Sequence, residues 1–204
     1  MPHKVAFENK KLPYNQSTPH YMKLLRQLSY AFLLITIFTF SQCKKNKNKD
    51  EPKLPPETTV GAMTFGCKVN GEVFLPQDGG GRLGLFAQYA NLGSGLGGGW
   101  FLSINVTDNK TQNSKNITIN TDSLLVQSGT YILKKVKGNS FCTYFDFPNG
   151  SLNIYEIIQQ DSGELVITKH DQTQRILSGN FHFNATNQTG VKVIITEGRF
   201  DVRY

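Results

Sequence analysis

The chain has 204 residues, of which 38% are hydrophobic, 18% charged and 11% aromatic. This length fits one domain with a tail, and the composition excludes a collagen-like chain, a coiled coil and a fully disordered protein. The formal net charge of +7 first suggests a nucleic-acid partner, but residues 1–42 carry a net +4, residues 43–57 a net +2 and residues 58–204 only +1. A nearly neutral domain offers little attraction to a phosphate backbone, so we predict no nucleic-acid partner.

The N-terminal region is typical of a secretory signal peptide. An 11-residue apolar run, Tyr30–Phe40, follows the basic residues Lys23 and Arg26. The run is too short for a transmembrane helix, which needs about 20 apolar residues. We therefore predict a signal peptide over residues 22–42, with residues 1–21 upstream of the true start. The alternative is a disordered N-terminal extension.

A cysteine follows the apolar run directly, in the order Phe40-Ser41-Gln42-Cys43. This order resembles the lipobox of bacterial lipoproteins, in which the cysteine thiol is acylated before cleavage. We predict lipidation at Cys43 and a membrane as partner, because each buried CH₂ of an acyl chain contributes about 0.8 kcal/mol of membrane binding. The alternative is an ordinary signal peptide with a chance cysteine. Residues 43–60 are rich in Lys and Pro and contain no aromatic residue, which predicts a lipid-anchored, flexible linker.

Residues 61–204 show the alternating pattern of an all-β domain. Thr64–Asn70 places Phe65, Cys67 and Val69 on one face, and Asn70-Gly71 is a strong hairpin signal. Further predicted strands are Trp100–Thr107, Asn116–Asn120, Gly129–Val136, Ser140–Phe147, Leu152–Ile158, Glu164–Lys169 and Arg175–Ala185. This spacing predicts an antiparallel β-sandwich or a small β-barrel of about 8–10 strands.

The C-terminal strand changes the parity of its apolar residues from odd to even numbers between Ile195 and Phe200. A one-residue β-bulge at Glu197-Gly198 would return both sets to the same face. Arg199, Asp201 and Arg203 would then point to solvent, whereas Phe200, Val202 and Tyr204 would lie on the apolar face.

The glycine-rich stretch from Asp78 to Gly99 includes the string GxGxxG. A β-run follows it instead of a helix, so we do not interpret it as a dinucleotide site and predict no cofactor. The stretch is either a mobile loop or a binding loop, with Arg82, Tyr89 and Trp100 as candidate binding residues. Aromatic side chains beside such a loop suit a sugar or peptide face.

Cys67 and Cys142 remain once Cys43 is assigned to lipid. We predict a disulfide between them, because disulfides persist in exported proteins, with two separate buried thiols as the alternative. The domain has no CxxC motif, so we predict no metal site. His170 lies in a polar stretch typical of a hairpin turn, and His182 alternates with Asn180 and Asn184, which predicts that it faces water. No GxSxG elbow is present, so we assign no catalytic residue.

The chain resembles a family of Bacteroidetes lipoproteins of the DUF6252 type. The resemblance rests on the signal peptide ending at Cys43 and on three segments: Thr64–Gly71, Ile176–Phe183 and Gly198–Tyr204. It implies a membrane-anchored small β domain and transfers no catalytic residue. We therefore expect an outer-membrane protein that faces the periplasm, with the cell surface as alternative. It would bind a glycan, a peptide or an envelope protein, or serve a structural role. The alternative is a hydrolase of envelope or dietary polymers.

Overall fold

Alternating apolar and polar residues form eleven β-strands in the computed structural model, which describes residues 52–93, 98–110, 113–158 and 161–204. The predicted signal peptide and Cys43 lie outside these residues. The strands are β1 (Thr64–Val69), β2 (Glu72–Phe74), β3 (Leu85–Asn91), β4 (Trp100–Thr107), β5 (Lys115–Asp122), β6 (Gly129–Ile132), β7 (Asn139–Asp146), β8 (Asn153–Glu156), β9 (Gly163–Asp171), β10 (Ile176–Asn187) and β11 (Lys192–Arg203). One 3₁₀ turn, Pro148–Gly150, precedes β8.

All eleven strands belong to one open antiparallel sheet in the order β2-β1-β11-β10-β8-β7-β5-β4-β3. The sheet branches at the 12-residue strand β10. Thr186 and Asn187 at its C-terminal end pair with β8, whereas Ile176–Phe183 pairs with β9, which also pairs with β6. The all-β, antiparallel prediction is thus confirmed. The strand number is higher than the predicted 8–10, and one long strand, β10, is shared between both branches of the single sheet.

The sheet curls so that its two halves enclose one core. Cys67 on β1 and Cys142 on β7 are separated by three strands along the sheet, yet both are almost completely buried in the same apolar cluster. Near the sheet edges, the Gln77 amide donates to the Thr107 carbonyl at 3.0 Å and connects the segment after β2 to the end of β4. The largest fully buried side chains are Phe65, Phe183, Leu102, Ile104, Ile117, Ile119, Leu133, Leu165, Ile167, Ile176, Leu177 and Ile195.

The predicted β-bulge in the last strand is confirmed from both of its neighbours. Phe181 pairs with Gly198 and Phe183 pairs with Ile195, so two residues of β10 span three of β11. The register with β1 shifts at the same place, and Glu197 has a φ of +52°. The bulge returns both the odd and the even apolar residues of β11 to the core.

The turn after β1 also follows the prediction, whereas the glycine-rich stretch does not. Asn70 and Gly71 have φ values of +51° and +88°, which a type I′ hairpin turn requires at both positions. The stretch from residue 78 to 99 contains strand β3 (Leu85–Asn91), so it is not one continuous loop. Its Leu85, Ala87 and Tyr89 are buried, an alternation that the neighbouring glycines obscured in the sequence.

The predicted Cys67–Cys142 disulfide is not formed, because both cysteines are free thiols buried in the core. Burial raises the pKa of Cys67 to about 12. Burial also raises the pKa of Cys142, and the neighbouring Cys67 adds a smaller increase. A buried thiol with a raised pKa holds its proton and is chemically inert. The cysteines are therefore small apolar core residues in this structure, the alternative that the sequence analysis left open.

Residues 54–62, which we call the N-terminal arm, pack along the sheet and do not project from it. Pro55 lies directly over Gly66, where an added Cβ would come within 2.6 Å of the proline ring. Asn180 donates to the Glu57 carboxylate at 3.2 Å, and Lys169 donates to the Thr59 carbonyl at 3.1 Å. The described part of the predicted linker is thus docked on the domain.

The arm ends in a cradle for one buried carboxylate, that of Asp201. Its Oδ2 accepts hydrogen bonds from the Thr58 hydroxyl at 2.6 Å and from the amides of Val60 and Ala62 at 3.0 and 3.1 Å. Its Oδ1 accepts from the Gly61 amide at 2.8 Å and the Ser178 hydroxyl at 2.7 Å. The prediction that Asp201 faces solvent is wrong, because the arm covers that face of β11 and leaves the residue 1% exposed.

These hydrogen bonds determine the ionisation of Asp201. Burial alone would raise the pKa of its carboxyl group, but the donors from Thr58, Ser178, Ala62 and Gly61 outweigh burial and lower the pKa from 3.8 to about 2. All five donors favour the charged form, which accepts at both oxygens. Because the pKa is lower in the folded state, ionised Asp201 stabilises the fold by about 2 kcal/mol above pH 4.

We expect Asp201→Asn to lower the free energy of unfolding at neutral pH by about 2 kcal/mol or more, because the amide offers one acceptor where the cradle needs two. The difference between the two proteins should shrink as the pH falls from 5 towards 2, where Asp201 itself becomes protonated. Urea unfolding at several pH values measures this. Glu197→Gln, an exposed acid on the same strand, should give a small difference that does not follow this curve. A constant difference for Asp201→Asn would contradict the assignment.

Deletion of Val202–Tyr204 should destabilise the fold by about 3 kcal/mol or more, because Val202 is fully buried and its strand pairing is lost. Thermal and urea unfolding measure the loss. Ile194→Ala is the matched control, since this β11 side chain is 51% exposed. Unchanged melting of the truncated chain would refute the prediction.

Candidate functional site

Four aromatic rings from three separate parts of the chain meet at one end of the sheet. Tyr89 on β3 stacks on Trp100 at the start of β4, with ring centroids 4.8 Å apart and planes inclined by 19°. The rings of His170 and Tyr204 each make an edge-to-face contact with Tyr89, at centroid distances of 5.0 and 5.4 Å. Such stacked and edge-to-face pairs add about 0.5–1.5 kcal/mol each beyond area burial. We call these four residues the aromatic cluster.

His170 is held by hydrogen bonds at both ring nitrogens. Nδ1 is 2.9 Å from the Val126 carbonyl oxygen, which can only accept, so Nδ1 carries a proton. Nε2 is 2.8 Å from the Tyr204 hydroxyl, which donates to it when the ring is neutral. The prediction that His170 belongs to a hairpin turn is wrong: it lies on β9, and the turn is residues 172–175. His182 is exposed on the outer face of β10, as its alternation predicted.

Two tyrosine hydroxyls bind the segment between β5 and β6, and one of them, that of Tyr89, belongs to the aromatic cluster. The Val126 amide donates to the Tyr89 hydroxyl at 3.1 Å. The Tyr131 hydroxyl accepts from the Gln127 amide at 2.8 Å and donates to its carbonyl at 2.9 Å. Burial raises the pKa of Tyr89 and of Tyr204, so both hydroxyls stay protonated at physiological pH. The two tyrosine hydroxyls of the cluster are therefore uncharged hydrogen-bonding groups.

A groove of about 380 Å³ opens over this cluster. Tyr89, Trp100 and Tyr204 form its aromatic side, and Gln88, Gln172 and Arg175 supply polar groups on its rim. Ala90 completes the lining. Its volume is within the range of sites for small ligands, about 300–1,000 Å³. Because Arg175 lies in the turn between β9 and β10, its guanidinium is exposed beside Tyr204. We call this site the aromatic groove.

The structure brings together two of the three residues that the sequence singled out for binding. Tyr89 and Trp100 are stacked in the aromatic groove, although on strands instead of one loop. Arg82 lies in the turn before β3, where its backbone exchanges hydrogen bonds with Gly79. Since Trp100 pairs with Asn91 at the far end of β3, about 20 Å of strand separates Arg82 from the groove. Arg82 is therefore not part of this site.

Sequence reasoning missed the contributions of His170, Arg175 and Tyr204. These residues come from the β9–β10 turn region and from the end of β11, and only strand pairing brings them beside Tyr89. The pairing of Asp171 with Ile176, and of Ile176 with Arg203, aligns the two segments. The predicted apolar face of Tyr204 was the one available signal, because it implied a ring directed toward the other strands.

A second, larger groove of about 740 Å³ lies at the opposite end of the sheet. The β1–β2 hairpin and the β4–β5 connection form its walls, and Pro52 lies at its border. Its charges are mixed, and Lys115 pairs with Glu72 at 3.8 Å. This groove lacks a converging set of aromatic or like-charged groups, so we place the candidate site in the aromatic groove.

Within the described ranges, no three His, Cys, Asp or Glu side chains are grouped in a way that could hold a metal ion. Over the same ranges, none of the helical segments has the length and apolar character needed to span a membrane.

Comparison with known protein families gives a match for the second half of the chain. Residues 102–202 match the model of the family described as "Domain of unknown function (DUF6252)". No curated protein and no solved structure matches the chain. The matched segment begins in β4 and ends in β11, so it includes His170, Arg175 and Asp201, while the N-terminal arm precedes it. This match agrees with the resemblance seen in the sequence and supports a DUF6252-like family for this chain.

Proposed function

We propose that the protein is a lipid-anchored cell-envelope domain whose aromatic groove binds a glycan. The anchor part rests on the sequence: Cys43 directly follows an apolar run too short to span a membrane. From the resemblance to Bacteroidetes lipoproteins and the basic start of the linker after Cys43, we further propose that the protein lies at the outer membrane and faces the periplasm, with the cell surface as the alternative. The binding part rests on the geometry of the aromatic groove.

The observation that carries the binding proposal is the stacked Tyr89–Trp100 pair at a groove with a polar rim. A sugar ring presents a flat face of C–H groups and an edge of hydroxyls. The aromatic side of the groove suits the face, whereas Gln88 and Gln172 each offer amide donors and an acceptor for the hydroxyls. Arg175 adds guanidinium donors, which also suit a carboxylated sugar. A peptide ligand would share the aromatic contacts, and we treat it as the competing outcome.

The alternative hydrolase function would depend on His170 as the nearest general base. Both of its ring nitrogens have partners within the fold, Val126 and Tyr204. A general base needs a nitrogen within reach of the proton that it removes. The hydrogen bonds of His170 thus support a positioning role in a binding site, and they are the reason that we propose binding in preference to hydrolysis.

The groove can be tested through Trp100, the single tryptophan of the chain. We expect saturable changes in its fluorescence with neutral or uronate-containing oligosaccharides. Trp100→Ala should weaken the affinity, measured by calorimetry, by about tenfold, because loss of an aromatic stacking partner costs on the order of 1.4 kcal/mol.

Phe86→Ala is the matched control for this binding experiment. Phe86 lies on the same strand as Tyr89 but is 52% exposed on the opposite face, so its loss should leave binding unchanged. Equal effects of Phe86→Ala and Trp100→Ala would contradict the groove assignment. Binding of unstructured peptides without any saccharide would favour the peptide alternative, and no binding at all would favour a purely structural role.

The lipid anchor has a separate test. We expect cells grown with labelled palmitate to incorporate the label into the wild-type chain but not into Cys43→Ala. Cys67→Ala should keep the label, because its thiol is buried in the core. Persistent labelling of Cys43→Ala would refute lipidation at this residue.

A further inference from the structure

The sheet has two distinct ends, which the long strand β10 connects. At one end are the β1–β2, β4–β5 and β10–β11 turns, and we call it the hairpin end. At the other end are the aromatic groove and the turn of residues 172–175, and we call it the groove end. β10 has 12 residues, so about 40 Å separates the two ends.

The chain runs from the hairpin end, at Pro52, along the N-terminal arm to the groove end. Pro52 lines the large groove together with Val69 and Glu72, next to the β1–β2 turn. Pro55 then crosses Gly66 in the middle of β1, and the amides of Val60–Ala62 reach Asp201. Asp201 pairs with Thr64, the first residue of β1. β1 then returns to the hairpin end, antiparallel to β11.

We propose that the docked arm makes the hairpin end the membrane-facing surface of the domain, so that the aromatic groove is directed away from the bilayer. This inference rests on the proposed anchor at Cys43. The direction follows from where the chain reaches the domain, because a tether pulls on its point of attachment. With the arm docked, that point is Pro52 at the hairpin end.

The length of the segment between Cys43 and Pro52 limits how far the domain can rotate relative to the bilayer. Nine residues lead from Cys43 to Pro52, which span at most about 32 Å when fully extended. If the groove end faced the bilayer, the distance from Pro52 to the bilayer would be most of the length of the sheet. The chain would then be stretched almost to its limit, at a large cost in conformational entropy. The orientation with the hairpin end down requires no such stretching.

Release of the arm would move the attachment point to the other end of the domain. The tether would then reach the sheet at Thr64, next to Asp201, and would contain 21 residues, or up to about 75 Å. The aromatic groove would then lie near the attachment point. The Asp201 cradle therefore decides which end of the sheet is tethered, and through it which surface is offered to ligands from outside the membrane.

The experiment measures how close each end lies to a bilayer. The full chain is coupled through the Cys43 thiol to a maleimide phospholipid in phosphatidylcholine vesicles. The thiols of Cys67 and Cys142 do not react with the maleimide, because they are buried. Trp100 is the probe at the groove end. A Trp100→Phe, Gln188→Trp variant carries the probe at the hairpin end, since Gln188 is exposed in the β10–β11 turn. A headgroup-nitroxide lipid quenches each tryptophan, and acrylamide quenching normalises for exposure.

We expect normalised lipid quenching to be at least about threefold stronger for the probe at position 188 than for Trp100, because the strand length between the ends exceeds the range of contact quenching. Asp201→Asn should reduce or reverse this difference, while Glu197→Gln, which removes a charge from the same strand without touching the cradle, should preserve it. Should Asp201→Asn fail to fold, Thr58→Val removes one donor and should give a partial loss.

Three outcomes overturn the inference: equal quenching at both ends, stronger quenching of Trp100, or an unchanged difference in folded Asp201→Asn. Because the coupling is chemical, the result does not depend on acylation of Cys43 in the cell. Absence of the palmitate label from the wild-type chain, or its persistence in Cys43→Ala, would refute the proposed anchor alone. A reversed quenching pattern would refute the orientation alone.

Discussion

The buried carboxylate of Asp201 is the constraint on which much of the architecture depends. A carboxylate that is 1% exposed must have its lone pairs satisfied, since an unpaired buried charge would cost several kcal/mol. Four of its five donors belong to the N-terminal arm, and one to Ser178 of β10. The charge thus joins the arm, β10 and β11. Gly61 is required in this cradle: its φ is +72°, and an added Cβ would lie 2.7 Å from the Arg203 side chain.

The branched sheet depends on close backbone packing around β10. Gly198 next to the bulge faces the Phe181 ring, and a Cβ at this position would come within 2.6 Å of it. The bulge therefore does more than restore the apolar face of β11, because it also places a residue without a side chain opposite a large aromatic ring. The ring of Phe181 in turn lies 5.3 Å from that of Phe65 on β1. One small residue thus lets three strands share an aromatic core.

Local patterns were sufficient to predict most of the strands, the type I′ turn at Asn70-Gly71 and the bulge at Glu197-Gly198, because each depends on neighbouring residues. The branch at β10 was not predictable, since alternation does not say which strand pairs with which. Strand β3 was missed because glycines flank it on both sides. The solvent-facing assignment of Asp201 failed for another reason: the arm that covers it looks like a polar linker, and its affinity for the sheet arises from backbone amides, which any sequence carries. The aromatic groove was half predictable, through Tyr89 and Trp100, because its other members come from distant strands.

The arm and the aromatic groove are connected through one residue between them, Arg203. Its guanidinium donates to the Val60 carbonyl of the arm at 3.0 Å and to the Gln174 carbonyl at 3.2 Å. Gln174 belongs to the turn that carries Gln172 and Arg175 on the groove rim, and Tyr204 follows Arg203 directly. Loss of the arm would therefore remove one of the two partners that fix this guanidinium, and with it part of the support of the turn. The segment that tethers the domain and the surface that we propose binds its ligand are thus mechanically coupled, even though the chain enters the domain at the opposite end of the sheet.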